Sequence, residues 1–238
     1  MNRKSHEEAP RVFLPGWGVG VGPLQKSLAK TRWRLMPLPG TEGGDNPATF
    51  AAARDNLLRN LPEVCHLGGW SLGGILAMSC AIAAPERILS LFLMATTPSF
   101  ICREGWDIGR PDAELQAFMR TIRQEGEAVR PRFIGSFCRG DVIANAAECV
   151  RSDASPMPQA ALEAGLDWLY EADLRRDVEK ISCPVTLLHG GNDPLIPPEA
   201  SRWLASRLSS ARLVLLPGRA HAPFAGDDAE FLQELSLS

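Results

Sequence analysis

The sequence predicts an α/β protein, a mostly parallel sheet with helices on both faces and one helical insertion. Three observations carry that expectation. Short apolar runs alternate with helix-patterned segments, as a sheet built from right-handed crossovers requires. One run, Ile88 to Ala95, is apolar at nearly every position, as expected of a strand covered on both faces. From about Thr96 to Asp177 the alternation stops, and the chain reads as charged helix punctuated by Gly and Pro. The expected division is a first core part at 1–96, a helical lid at 97–177 and a second core part at 178–238.

The elements follow in order. Arg11-Val12-Phe13-Leu14 makes a short strand that breaks at Pro15-Gly16-Trp17-Gly18, and a helix over about Val21 to Lys30 leads to a strand across Arg32 to Leu38. Asn46-Pro47 resembles a cap followed by a first-turn proline, so the next helix is expected from there to about Asn60. Val64 to Leu67 is a buried strand, and Leu72 to Ala84 a helix apolar on nearly every side that Pro85 ends. After the insertion come a strand at Pro184 to His189, a helix at about Pro198 to Leu208, a strand at Arg212 to Leu216 and a helix from about Asp227.

At 238 residues there is room for one core domain with an insertion and not for two enzymes. A net charge of −3 gives no global attraction to nucleic acid or anionic membrane. The polar start, Met1 to Glu8, lacks the apolar stretch of a secretory signal, and no run of eighteen apolar residues follows. A cytoplasmic location is therefore expected; a monomer is expected as well. The six cysteines are scattered without a metal-ligand spacing or a disulfide framework. No Gly-rich nucleotide fingerprint occurs either, so chemistry without metal or cofactor is expected.

The organising stretch is Gly68-Gly69-Trp70-Ser71-Leu72-Gly73-Gly74, between an apolar strand and a helix. Gly69, Ser71 and Gly73 match Gly-x-Ser-x-Gly, the pattern that presents a serine alone on a sharp strand-to-helix turn. Taken alone, it also fits a Gly-rich turn with an incidental serine. Loops leaving the carboxyl ends of parallel strands gather along one edge, so Ser71, Asp193 and His221 can converge. A serine hydroxyl is a weak nucleophile. His221 would take its proton, and Asp193 would fix the imidazole tautomer and stabilise the imidazolium.

Other candidates exist. His6 lies in the polar start, His66 within a strand, and His189 ends a strand where it could orient the Asp193 loop; Asp173 and Asp177 are possible substitutes for Asp193. The oxyanion of a tetrahedral intermediate needs two aimed donors. The backbone N–H of Leu72, directly after the nucleophile, is one; that of Trp17 in the first loop is the candidate second. The Trp17 indole could line the acyl pocket or simply cover the sheet end.

These residues resemble the α/β-hydrolase superfamily, and more closely the carboxylesterases of biotin synthesis that demethylate pimeloyl-acyl-carrier-protein methyl ester. Gly16-Trp17-Gly18, Leu67 to Gly74, Pro85-Glu86-Arg87, Thr97-Pro98-Ser99-Phe100 with Trp106, and Ala220-His221-Ala222-Pro223-Phe224 carry the likeness over most of the chain. The resemblance implies the same triad, a first-loop tryptophan as oxyanion donor, and a lid aromatic after an arginine touching the acyl chain, here Arg132-Phe133. Phe137, four residues on, could share that helical face. It also implies an acyl-carrier protein as the partner that bears the ester. Departures are Pro15 where the family has histidine, too few residues before the first strand for the usual hairpin, a shorter lid, and Pro131 interrupting a lid helix.

The insertion carries Arg103, Arg110, Arg120, Arg123, Arg130, Arg132, Arg139 and Arg151 among acidic residues. If several share a face, with Arg123, Arg130, Arg132 and Arg139 foremost, they would dock an acidic carrier. An ordinary solvated helical face reads the same way. The substrate-binding set is then Trp17, Ser71, Leu72, Phe133, Phe137 and His221. Two rivals stand beside the methyl-ester esterase: a broad short-chain carboxylesterase or thioesterase, and a non-catalytic binding module on the same fold.

Overall fold

The computed structural model describes residues 8–29, 31–226 and 229–236. His6, Lys30 and Asp227, named above, lie outside the described residues. Strands β1 (Arg11–Leu14), β2 (Trp33–Leu35), β3 (Cys65–Trp70), β4 (Ile88–Met94), β5 (Val185–Gly190) and β6 (Ala211–Leu216) form one sheet in the order β2-β1-β3-β4-β5-β6. Every pairing is parallel.

Helices α1 (Gly22–Leu28), α2 (Phe50–Asn60) and α3 (Leu72–Ala83) connect the early strands. Between β4 and β5 lie α4 (Asp112–Glu125), α5 (Arg130–Phe137), α6 (Ala146–Asp153) and α7 (Gln159–Glu171); α8 (Glu199–Arg207) and α9 (Ala229–Ser236) complete the chain. Among the described residues, no helix is long and apolar enough to cross a membrane.

Strand periodicity sends alternate residues to opposite faces, and β4 displays the result. Leu91 and Leu93 join a core with Phe50, Leu57, Ile75 and Leu204, while Phe92 and Met94 join another with Leu24, Leu28, Phe231 and Leu235. Both faces are therefore covered, which explains why β4 reads as continuously apolar. Helix α3 is buried from Leu72 to Ala81, and truncating fully enclosed Leu76 to Ala would cost about 2–5 kcal/mol.

Three sequence expectations need correction. Helix α2 starts after Thr49, whose Oγ accepts from the Ala52 N–H, and not at Asn46-Pro47; a competent cap three residues downstream outcompetes that signal. Strand β2 is short, Trp33–Leu35, with only Met36 N–H continuing to the Phe13 carbonyl before Pro37 removes a donor. Pro131 does not break a helix; it sits in the first turn of α5, where its missing N–H costs nothing, and α4 has already stopped at Gly126 with φ of 58°.

Candidate active site

Ser71 stands at the β3-to-α3 junction with φ 55° and ψ −120°, a conformation that costs a non-glycine residue energy. Ala95 at the end of β4 is the other non-glycine residue with positive φ among the described residues. Close backbone approach makes the turn possible. A Cβ on Gly69 would lie 2.3 Å from the Gly73 carbonyl, and one on Gly73 would lie 2.5 Å from the carbonyl oxygens of Leu14 and Pro15. The first loop is thereby pressed against the start of α3. Ser71 is further fixed by its N–H to Met94 O at 2.9 Å and by Thr96 Oγ1 donating to its carbonyl at 2.7 Å.

The loops after β3, β5 and β6 bring three side chains together. Ser71 Oγ lies 3.0 Å from His221 Nε2, and His221 Nδ1 lies 2.7 Å from Asp193 Oδ2. Facing a carboxylate, Nδ1 carries the ring proton and donates it, which leaves Nε2 to accept from the serine hydroxyl. All three residues are buried. Burial alone would push the Asp193 pKa up, but the adjacent His221 and hydrogen bonds from His189 and His221 outweigh it and leave the carboxyl well below its usual range. Its Oδ1 accepts from the N–H groups of Leu195 and Ile196, each at 2.9 Å.

His189 is a support of this carboxylate. Its Nε2 donates to Ile196 O at 2.9 Å with Asp193 Oδ2 at 3.2 Å, while Nδ1 accepts from Ser201 Oγ at 2.6 Å. His66 pairs with Ser90 on the neighbouring strand. Asp173 is engaged with Arg175 and Asp177 with Lys180, so neither takes the place of Asp193.

Above Ser71 lies a pocket with about 400 Å³ of space not filled by atoms, part of it open to solvent. Trp17, Phe133, Phe137 and His221 line it, together with Trp70, Phe100, Leu115, Phe118, Leu166, Leu169 and Leu195. Among the described residues no Asp, Glu, Lys or Arg lines it, so an uncharged acyl chain is accommodated. Trp17 meets Phe118 at 5.5 Å and Phe133 at 5.2 Å between ring centroids, both edge-on. Leu72 does not line the pocket; its side chain belongs to the core, which leaves only its N–H for a substrate. As the first residue of α3, that N–H has no intrahelical acceptor.

Phe118, Leu115, Leu166 and Leu169 escaped the sequence reading. Leu115 with Phe118, and Leu166 with Leu169, are spaced three apart on their helices, a signal that marks one shared face but not what the face covers.

The arginines divide. Arg132 and Arg139 are exposed, Arg132 beside Glu125, and Arg123 is half exposed near Glu163 and Asp167. Arg130 is not a docking residue. It is buried, and its guanidinium donates to Gly18 O, Ser155 O and the Glu127 carboxylate, because the turn from Gly126 to α5 points it inward.

A second buried cation, Arg219, pairs with Asp141 in the α5–α6 connection, and Asp141 also accepts from the Ala220 N–H at 2.8 Å. The His221 carbonyl accepts from Trp70 Nε1 at 2.8 Å, and the His221 N–H reaches Phe137 O at 3.3 Å. The histidine loop is thus held from both the sheet and the inserted segment.

Residues 12–234 match the Alpha/beta hydrolase family. A pimeloyl-(acyl-carrier protein) methyl ester esterase of Nitrosomonas europaea is 34% identical over 232 residues, covering 93% of this chain and 92% of that one. A protein of the same name from Nitrosospira multiformis is 31% identical, with 94% and 92% covered. The crystal structure of a hydrolase from Pseudomonas aeruginosa superposes with a TM-score of 0.79 at 22% identity over 96% of this chain and 89% of that one, which bears on the fold alone.

Proposed function

The chain belongs to the alpha/beta hydrolase family and is a carboxylic ester hydrolase; on that premise we propose that it cleaves the methyl ester of a pimeloyl group carried by an acyl-carrier protein, a step of biotin synthesis. The observation that carries the reading is the hydrogen-bonded line Ser71–His221–Asp193 beneath an apolar pocket.

Ser71 Oγ attacks the ester carbonyl carbon while its proton passes to His221 Nε2. The carbonyl electrons move onto oxygen, and the N–H groups of Leu72 and Trp17 receive that oxyanion. Collapse of the tetrahedral intermediate breaks the bond to the methoxy oxygen, which leaves as methanol with the His221 proton. Water then attacks the acyl-enzyme, gives a proton to His221, and the second collapse returns that proton to Ser71 and frees the acid. Asp193 stays ionised throughout and stabilises the imidazolium. The pocket supports this assignment, since its apolar walls suit the uncharged methylene chain of the acyl group.

Residues 97–177 serve as the lid over the core parts 1–96 and 178–238. Exposed Arg123, Arg132 and Arg139 dock the acidic carrier, and the protein works in the cytoplasm without metal or cofactor. Steady-state kinetics on carrier-linked and free methyl esters tests the substrate, and rescue of a strain that requires biotin tests the pathway. Equal efficiency on both esters, with no rescue, would leave a broad esterase as the function.

A further inference from the structure

Arg130 occupies a place where a cation is costly: only 8% of the residue is exposed, yet its guanidinium donates in three directions. Nε donates to Gly18 O at 2.6 Å, one terminal nitrogen to Ser155 O at 2.6 Å, and the other to Glu127 Oε1 at 2.7 Å. Glu127 Oε1 in turn accepts from the Met157 N–H. The inserted segment therefore supplies a cation with a partner on each nitrogen, and one of its bonds ends on the residue next to Trp17.

The loop of residues 15–18 and its flanks have three further ties. Upstream, the carbonyls of Leu14 and Pro15 press against Gly73. In the middle, Trp17 Nε1 donates to Leu162 O at 2.9 Å, an approach that requires glycine at 165, where a Cβ would fall 2.5 Å from the indole. Downstream, Val19 O accepts from the Ser155 N–H at 3.2 Å. Gly18 sits at φ 76°, so this stretch depends on its contacts to keep one arrangement.

We propose that Arg130 is a positioning residue for the reaction: by fixing the Gly18 carbonyl it keeps the Trp17 N–H aimed at the oxyanion, which couples the inserted segment to transition-state stabilisation. The inference rests on the reading of the Trp17 N–H as an oxyanion donor. A donor is effective only when held within about 0.5 Å of its productive position, and misplacement by about 1 Å costs on the order of a hundredfold in rate.

The test compares Arg130→Met, Arg130→Lys and Ser71→Ala in the full chain, with a short p-nitrophenyl ester as substrate and a trifluoromethyl ketone as the tetrahedral adduct former. In Arg130→Met, kcat should fall about tenfold to a hundredfold with KM within about twofold, and ketone affinity should fall in parallel with kcat. Arg130→Lys, with one compact charge that reaches fewer carbonyls, should lie between. If Arg130→Met does not fold, Arg130→Lys carries the same readout. An unchanged kcat per folded molecule in the folded variant, or a loss carried wholly by KM, overturns the proposal and leaves Arg130 as a structural tie. Turnover by Ser71→Ala would instead overturn the serine mechanism and this inference with it, whereas an inactive Ser71→Ala beside unaffected Arg130 variants sinks this inference alone.

Discussion

His221 Nδ1 and Asp193 Oδ2 meet at 2.7 Å with side-chain exposures of 2% and 0%, so the bond is shielded from bulk solvent. An amide in place of the carboxylate removes the negative charge and favours the wrong imidazole tautomer. Asp193→Asn is expected to lower kcat by about a thousandfold or more with little change in KM. Steady-state hydrolysis of a short p-nitrophenyl ester measures it, and a loss under about tenfold would take the orienting role away from Asp193.

The same carboxyl makes stability depend on pH. Its folded pKa lies below the unfolded value of about 3.9, so it contributes stability above that value and loses the contribution as pH falls toward the folded one. Wild type should therefore lose stability relative to Asp193→Asn as pH drops below about 4. Urea unfolding of both proteins from neutral to acid pH decides it; a constant difference would contradict the depressed pKa.

Ser71 is held at φ 55° and ψ −120°, a region glycine tolerates better than any other residue. Ser71→Ala and Ser71→Gly should both be inactive and folded. Their stabilities should differ, with the glycine variant higher by about 1 kcal/mol as backbone strain is relieved. Thermal unfolding compares them, and an alanine variant at least as stable would show that the turn stores no strain.

If the chain docks a carrier as proposed, the exposed arginines outside the buried set would do it. Arg132→Glu combined with Arg139→Glu should reduce kcat/KM on the carrier-linked ester about tenfold at low salt and leave a small free ester unaffected. Raising salt should erase most of the difference, because exposed charges are screened. Equal losses on both substrates would mean that these residues shape the fold or pocket.

Burial pushes the thiols of Cys65 and Cys183 up to about 11, and those of Cys80 and Cys138 up to about 12, with Asp141 adding to the effect at Cys138. Iodoacetamide at neutral pH should leave these four unmodified in the folded enzyme, since the thiolate is the reactive form. Mass spectrometry reads the labels; rapid labelling of Cys80 or Cys138 would contradict their enclosure.

Much of the fold was legible because parallel strands buried on both faces leave near-continuous apolar runs, as at Ile88–Met94. The meeting of Ser71, Asp193 and His221 was legible from their places just after β3, β5 and β6, since such loops share one edge. Local competition was not. Asn46-Pro47 and Thr49 both offer a helix start, and the bond from the Ala52 N–H to Thr49 Oγ1 marks the second as the one used. The sign of a charge says nothing of its burial, so Arg130 and Arg132 looked alike although one faces Gly18 and the other solvent. Phe118 escaped because an aromatic on an amphipathic helix signals a buried face without naming what it meets.

Asp141 comes from the segment inserted between β4 and β5, yet it binds the Arg219 side chain and the Ala220 N–H directly before the proposed base. An insertion of this kind is often pictured as an interchangeable module, traded between relatives to change specificity. Here the trade would remove the carboxylate that pairs with a buried guanidinium and loosen the loop that carries His221. A chimera bearing a foreign segment would need both ends of that pair transplanted together, so recombination within this fold is constrained by a contact remote from the substrate.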